Sequence, residues 1–243
     1  MEQQLNASPA PMEFSPSSLF TRAWQTLTSY PLVFLGITLA PTLIVTIVGI
    51  LLALISPLLA TIIIVLGGIV LNLVAQGAIA YGTFESMTGN EPTIRNAFSK
   101  VMPRIIPLVC LAAIVGLCVF LGFIILIIPG IIVMCMFAVS MQACVVEQKG
   151  ALDSISRSLD LTKGYRVQIF LIFLALGLAV FILFAIIAVV VGLIFNETIT
   201  QLVINLIGIV PSAFGSILAA ILYYDLRNIK EGISLDSLTK VFD

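Results

Sequence analysis

The sequence predicts an all-α polytopic membrane protein with six transmembrane helices, and three observations carry that prediction. Hydrophobic residues make up 60% of the 243-residue chain and charged residues only 9%, whereas soluble domains devote roughly a quarter of their residues to charge. Long tracts carry no charge at all, as from Ala23 to Phe84. All 11 Lys and Arg residues fall into four groups: Arg22; Arg95, Lys100 and Arg104; Lys149, Arg157, Lys163 and Arg166; and Arg227, Lys230 and Lys240. Cytoplasmic loops are enriched in Lys and Arg, so this grouping places both termini and both large loops on the cytoplasmic side.

The spans follow from the tracts, since crossing the hydrocarbon takes about 20 apolar residues. An N-terminal arm over 1–14 leads into one membrane domain over 15–230. Ser56-Pro57 divides the first tract into spans over 31–55 and 57–81. Pro129-Gly130 divides the second into 106–128 and 130–146, because Pro removes an amide and Gly permits a turn. Asn196-Glu197-Thr198 divides the third into 167–195 and 199–224. A cytoplasmic tail over 231–243 ends the chain. The six spans form three hairpins. Before each lies a short amphipathic helix, over 16–29, 92–104 and 151–163, read as lying on the cytoplasmic surface with its apolar face in the acyl boundary. Trp24 and the five Tyr residues cluster near the same interface. The opening residues lack a basic region followed by an apolar core, so the first span is expected to be retained rather than cleaved.

A threefold internal repeat is an open reading. Setting Trp24, Phe98 and Leu159 equivalent brings Arg22, Asn96 and Arg157 into one register, and Glu85, Glu147 and Asp225 each stand where an apolar span meets the inner interface. Repeats of hydrophobic segments also arise by chance, and the spacing alone does not decide.

Composition narrows the functional classes. A net charge of −1 argues against a nucleic-acid partner, which needs a concentrated excess of Lys and Arg. The chain has no His, which removes zincin, Ser/His and His-relay chemistry. Cys110, Cys118, Cys135 and Cys144 lie inside spans without CxxC spacing and read as small hydrophobes. No metal or cofactor is expected. Two sets of residues remain. At the interface, Glu85, Glu147, Arg157, Asp160, Lys163, Asp225 and Arg227 could bind a cation or act on a phosphodiester; the simpler reading is mutual charge balance. Within the spans, Asn72, Gln76, Gln142, Asn205, Ser212 and Ser216 either glue helices together or line a pathway. Transporters generally carry ionisable groups at membrane depth, and these spans have none.

The run Val145-Val146-Glu147-Gln148-Lys149-Gly150-Ala151-Leu152, followed by Ser156 to Gly164, resembles the cytoplasmic segment of the bacterial membrane domain fused to some glycerophosphoryl diester phosphodiesterases, and of related stand-alone six-span proteins. Ile128-Pro129-Gly130-Ile131 and Tyr223-Tyr224-Asp225-Leu226-Arg227 are similar to the same group. The resemblance implies a six-helix bacterial inner-membrane protein. It does not imply phosphodiesterase activity, because the catalytic barrel with its His and carboxylates has no counterpart in these residues. The expected role is a non-catalytic one in binding or organising membrane lipids, with lipids as partners and a cytoplasmic protein as an open partner class. The alternatives are a small transporter or exporter subunit and, third, an interfacial enzyme.

Overall fold

Hydrocarbon dictates the local structure, because an amide inside the bilayer must find its partner within the protein. A computed structural model of the protein describes residues 16–231, and within them the chain forms eleven α-helices and no strand. The arm over 1–14 and nearly all of the tail over 231–243 lie outside the described residues. Six stretches are long and apolar enough to cross a membrane, which establishes the multi-pass, all-α class.

Short amphipathic helix α1 (Pro16–Ser29) precedes α2 (Pro31–Ala53) and α3 (Pro57–Met87). Pro31 and Pro57 open their helices, where the missing N–H is no loss, and Ser56 Oγ accepts from the Leu59 amide at 3.5 Å. Helix α3 runs six residues past the expected end at 81, carrying Glu85 within it. Next come α4 (Ile94–Val101), a 3₁₀ turn over Met102–Arg104, and α5 (Ile105–Ile125). Helices α6 (Ile127–Met136) and α7 (Ser140–Val146) together form the fourth span. After α8 (Ala151–Thr162) come α9 (Arg166–Ile194), α10 (Glu197–Ile207) and α11 (Ile209–Glu231).

The second long tract turns earlier than its sequence suggests. The break falls at Leu126, whose backbone is extended (φ −166°, ψ 159°), and Pro129 sits in the first turn of α6, where it interrupts no hydrogen bond. Gly130 serves packing instead. A methyl group on Gly122 would lie 2.9 Å from the Gly130 Cα, and one on Gly130 would lie 2.6 Å from the Phe123 ring. These two glycines let α5 and α6 pack in close contact.

The fourth span is not continuous. Helix α6 stops at Met136 and α7 restarts at Ser140, which strands carbonyls at membrane depth. Helix α8 supplies a partner: Ser158 Oγ donates to the Met136 carbonyl at 2.8 Å, with the Thr162 hydroxyl, which donates to the Ser158 carbonyl at 2.8 Å, alongside at 3.3 Å. A broken helix in a membrane persists when neighbouring hydroxyls satisfy it in this way.

The amphipathic helices are also packed into the protein. Helix α1 buries Leu19, Ala23 and Leu27 against protein, chiefly α11, and α4 buries Ala97 and Val101. Helix α8 turns its small polar face, Ser154, Ser158 and Thr162, inward and leaves Leu152 outward. Burial inside the protein thus claims part of the apolar faces of α1 and α4, whereas α8 buries Leu161 and its small polar side chains. Tyr223 and Tyr224 are likewise core residues rather than belt residues: both are fully buried, with Tyr224 stacked on Phe84 at 5.7 Å. Among the cysteines, Cys135 and Cys144 are buried as expected, but Cys110 is exposed and Cys118 half-exposed, on surfaces that lipid would cover.

Candidate functional site

Acids and bases gather at one end of the bundle, where α7, α8 and α11 meet. Glu147 caps the end of α7 and lies almost buried. Its Oε1 accepts from Arg157 Nε at 2.7 Å and from the Tyr223 hydroxyl at 2.6 Å, and its Oε2 pairs with Lys149 Nζ at 2.7 Å. Arg227 approaches the same carboxylate at 3.9 Å and pairs with Glu231 at 3.0 Å. Glu231 also pairs with Arg157. The result is a closed network of two acids and two arginines, with Tyr223 and Lys149 completing the shell of Glu147.

Electrostatics follows from the geometry. Burial alone would raise the Glu147 carboxyl, but hydrogen bonds from Lys149, Tyr223 and Arg157 and the charge of Arg157 outweigh it and hold the group at about 2. Burial alone would lower Arg157, and its bonds to Glu147 and Glu231 hold it above the ordinary arginine value instead. Both carboxylates of the network are thus paired with basic side chains. No group of three or more potential metal-ligating acids or thiols occurs among the described residues.

The other interfacial residues do not join this network. Asp225 pairs with Arg22 of α1 at 2.8 Å through both oxygens. Glu85 is faced by the Asn96 side chain and the Thr93 backbone of α4, while its Oε2 has no partner. Asp160 and Lys163 are exposed. The expected seven-residue cluster is therefore three separate contacts and two solvent-facing charges. Each of the three acids nevertheless faces the residue that the repeat register had set equivalent: Asn96, Arg157 or Arg22. Sequence reasoning missed Glu231 and the direct role of Tyr223, although Tyr223, Arg227 and Glu231 stand at i, i+4 and i+8 on one helix face.

The polar residues inside the spans divide between two open clefts. The first, about 510 Å³, lies between α2, α3 and α10 and is lined by Asn72 and Asn205 among apolar and threonine side chains. Its threonines are internally satisfied, since Thr38, Thr42 and Thr46 each donate to the carbonyl four residues earlier. The second, about 530 Å³, is bordered by α3, α5, α7, α9 and α11 and contains Gln76, Gln142, Ser212 and Ser216. It also contains Ser140, which the sequence reading missed. Gln76 Nε2 donates to Asn72 Oδ1, so one hydrogen bond links the linings of the two clefts. No charged residue lines either cleft.

Comparison with protein-family models, with curated proteins and with solved structures finds no match to this chain. The fold and its six apolar spans define it as a multi-pass α-helical membrane protein.

Proposed function

We propose that this protein is a bacterial inner-membrane component that binds membrane lipid within the bilayer and performs no chemistry of its own. The observation that carries this reading is the pair of uncharged, part-polar clefts set among lipid-facing spans. An apolar wall with a few polar groups matches a molecule that is itself mostly hydrocarbon. The saturated pairing of the charged cluster supports the non-catalytic part. The segment from Val145 to Gly164 supports membership of the six-span family it resembles, and the three acid contacts with α1, α4 and α8 support a threefold arrangement of hairpins.

Extraction into polymer nanodiscs without detergent, followed by native mass spectrometry, tests the reading. A lipid retained at fixed stoichiometry is the expected outcome; a bulk-lipid profile with no retained species would refute it. The Asn72–Gln76 link between clefts favours a second reading, transport. In that case Asn72→Leu and Asn205→Leu abolish solute movement in proteoliposomes while thermal stability is unchanged. Orientation follows from the one-sided charges: in a background without native cysteines, Glu197→Cys reacts with an impermeant maleimide outside intact cells and Lys163→Cys does not. The opposite labelling would invert the topology.

A further inference from the structure

The second cleft carries more chemical information than its size. Gln142 is only 6% exposed, and its Oε1 is buried with no hydrogen-bond partner. A buried amide oxygen left unpaired is costly, and such exceptions call for a missing partner. None of the surrounding polar groups donates to it. Ser140 Oγ donates to the Phe137 carbonyl at 2.8 Å and Ser216 Oγ to the Ser212 carbonyl at 2.9 Å, so both hydroxyl protons are committed to their own helices. Gln76 Nε2 is engaged with Asn72. The remaining donors of the lining, the Ser212 hydroxyl and the second N–H of Gln76, do not reach that oxygen either, so it is left facing the cleft unpaired.

We infer that this cleft binds the polar end of an uncharged lipid bearing a free hydroxyl, with the hydroxyl donating to Gln142. The inference rests on the lipid-binding reading above. Three ligand chemistries compete, and the lining separates them. An ammonium headgroup donates but brings a charge, and no acid lines the cleft to neutralise it. A phosphate brings negative charge to a site lined by no Lys or Arg. A neutral hydroxyl donates one hydrogen bond, can accept another from an amide, and carries no charge into a low-dielectric site. Leu73, Leu111, Val115 and Phe173 border the same space and provide an apolar wall for the attached chain.

The experiment uses the full chain in nanodiscs loaded with dioleoylglycerol, its methyl ether, or dioleoyl phosphatidic acid, with retention read by native mass spectrometry. Wild-type protein should hold the alcohol at one per chain and the methyl ether about tenfold less, the loss expected for one unmade buried hydrogen bond. Phosphatidic acid should be retained no better than the ether. Gln142→Leu should abolish the preference for alcohol over ether, with thermal unfolding checked alongside. Should that variant fail to fold, the alcohol-to-ether ratio on wild-type protein still decides. Equal retention of alcohol and ether, stronger retention of phosphatidic acid, or an ordered water alone at Gln142 would overturn the inference while leaving lipid binding intact. Retention of no lipid of any class would overturn both.

Discussion

At the charged end of the bundle, Leu222, Tyr223 and Tyr224 are wholly enclosed by protein, and Glu147, Arg157, Arg227 and Glu231 close a network around them. At the opposite end, Leu54, Ile55, Leu193 and Ile194 stand outward, and the most apolar stretch of α9 has no residue buried in protein. The contrast reflects two solvents. Lipid tails are as apolar as Leu, so the hydrophobic effect does not drive one span onto another inside the bilayer. Spans there stay together through close approach of small residues, as at Gly122 and Gly130. Near the interface, water returns, and burial of aromatics together with ionic pairing can define a single arrangement. Side-chain pairing is thus concentrated at the charged end, while the far end exposes apolar surface.

The sharpest way to break this comparison is to remove the centre of the network. Glu147→Leu leaves Arg157 and Arg227 partly buried with one carboxylate between them and should destabilise the protein by about 3 kcal/mol, the usual cost of orphaning a buried charge. Thermal unfolding in nanodiscs would show it; an unchanged transition would mean the cluster is ornamental. Next in size is the far end's glycine contact. Gly122→Val meets the Gly130 backbone and should cost about 2 kcal/mol through forced separation of α5 and α6. If it costs nothing, the close packing is not what holds that hairpin.

Acid provides a finer test of the same network. The Glu147 carboxyl sits at about 2 in the folded protein against an ordinary 4.5, so its stabilising contribution is present above pH 4.5 and is lost as pH falls toward 2. The unfolding temperature should therefore drop across that window, and Glu147→Gln should flatten that part of the curve. The smallest effect belongs to Asp225 and Arg22, where Arg22 is about one-third exposed. A double-mutant cycle of Arg22→Ala and Asp225→Ala should give a coupling of about 1 kcal/mol, and a value near zero would separate this contact from the one at Glu147.

Much of the architecture was legible because membrane solvation leaves few options. The tracts ending at Ser56-Pro57 and Asn196-Glu197-Thr198 fixed two turns, since capping side chains and proline act locally. The third turn was misplaced by a few residues because Pro129 is as compatible with the first turn of a helix as with its end. The interruption at Met136–Val139 left no local signature. It depends on the hydroxyl of Ser158, more than twenty residues from Met136, and only its reach across space reveals it. Candidate residues show the same division. The register of Arg22, Asn96 and Arg157 was readable from amphipathic spacing, and each proved to face one of the three acids. The joining of Glu231 to Arg157 and Arg227 was not readable, because its separation from Arg157 along the chain gives no hint of contact.

Composition and charge grouping by themselves determined that this chain is helical, crosses the membrane six times and keeps its charges in a few short segments; those properties follow from solvation, which acts residue by residue. Tertiary structure alone decided which charges are paired, that Gln142 is buried with an unsatisfied oxygen, and that Asn72 and Gln76 line separate clefts. Those outcomes depend on which side chains meet across the bundle, and a pattern of period 3.6 specifies a helix face without specifying its neighbour.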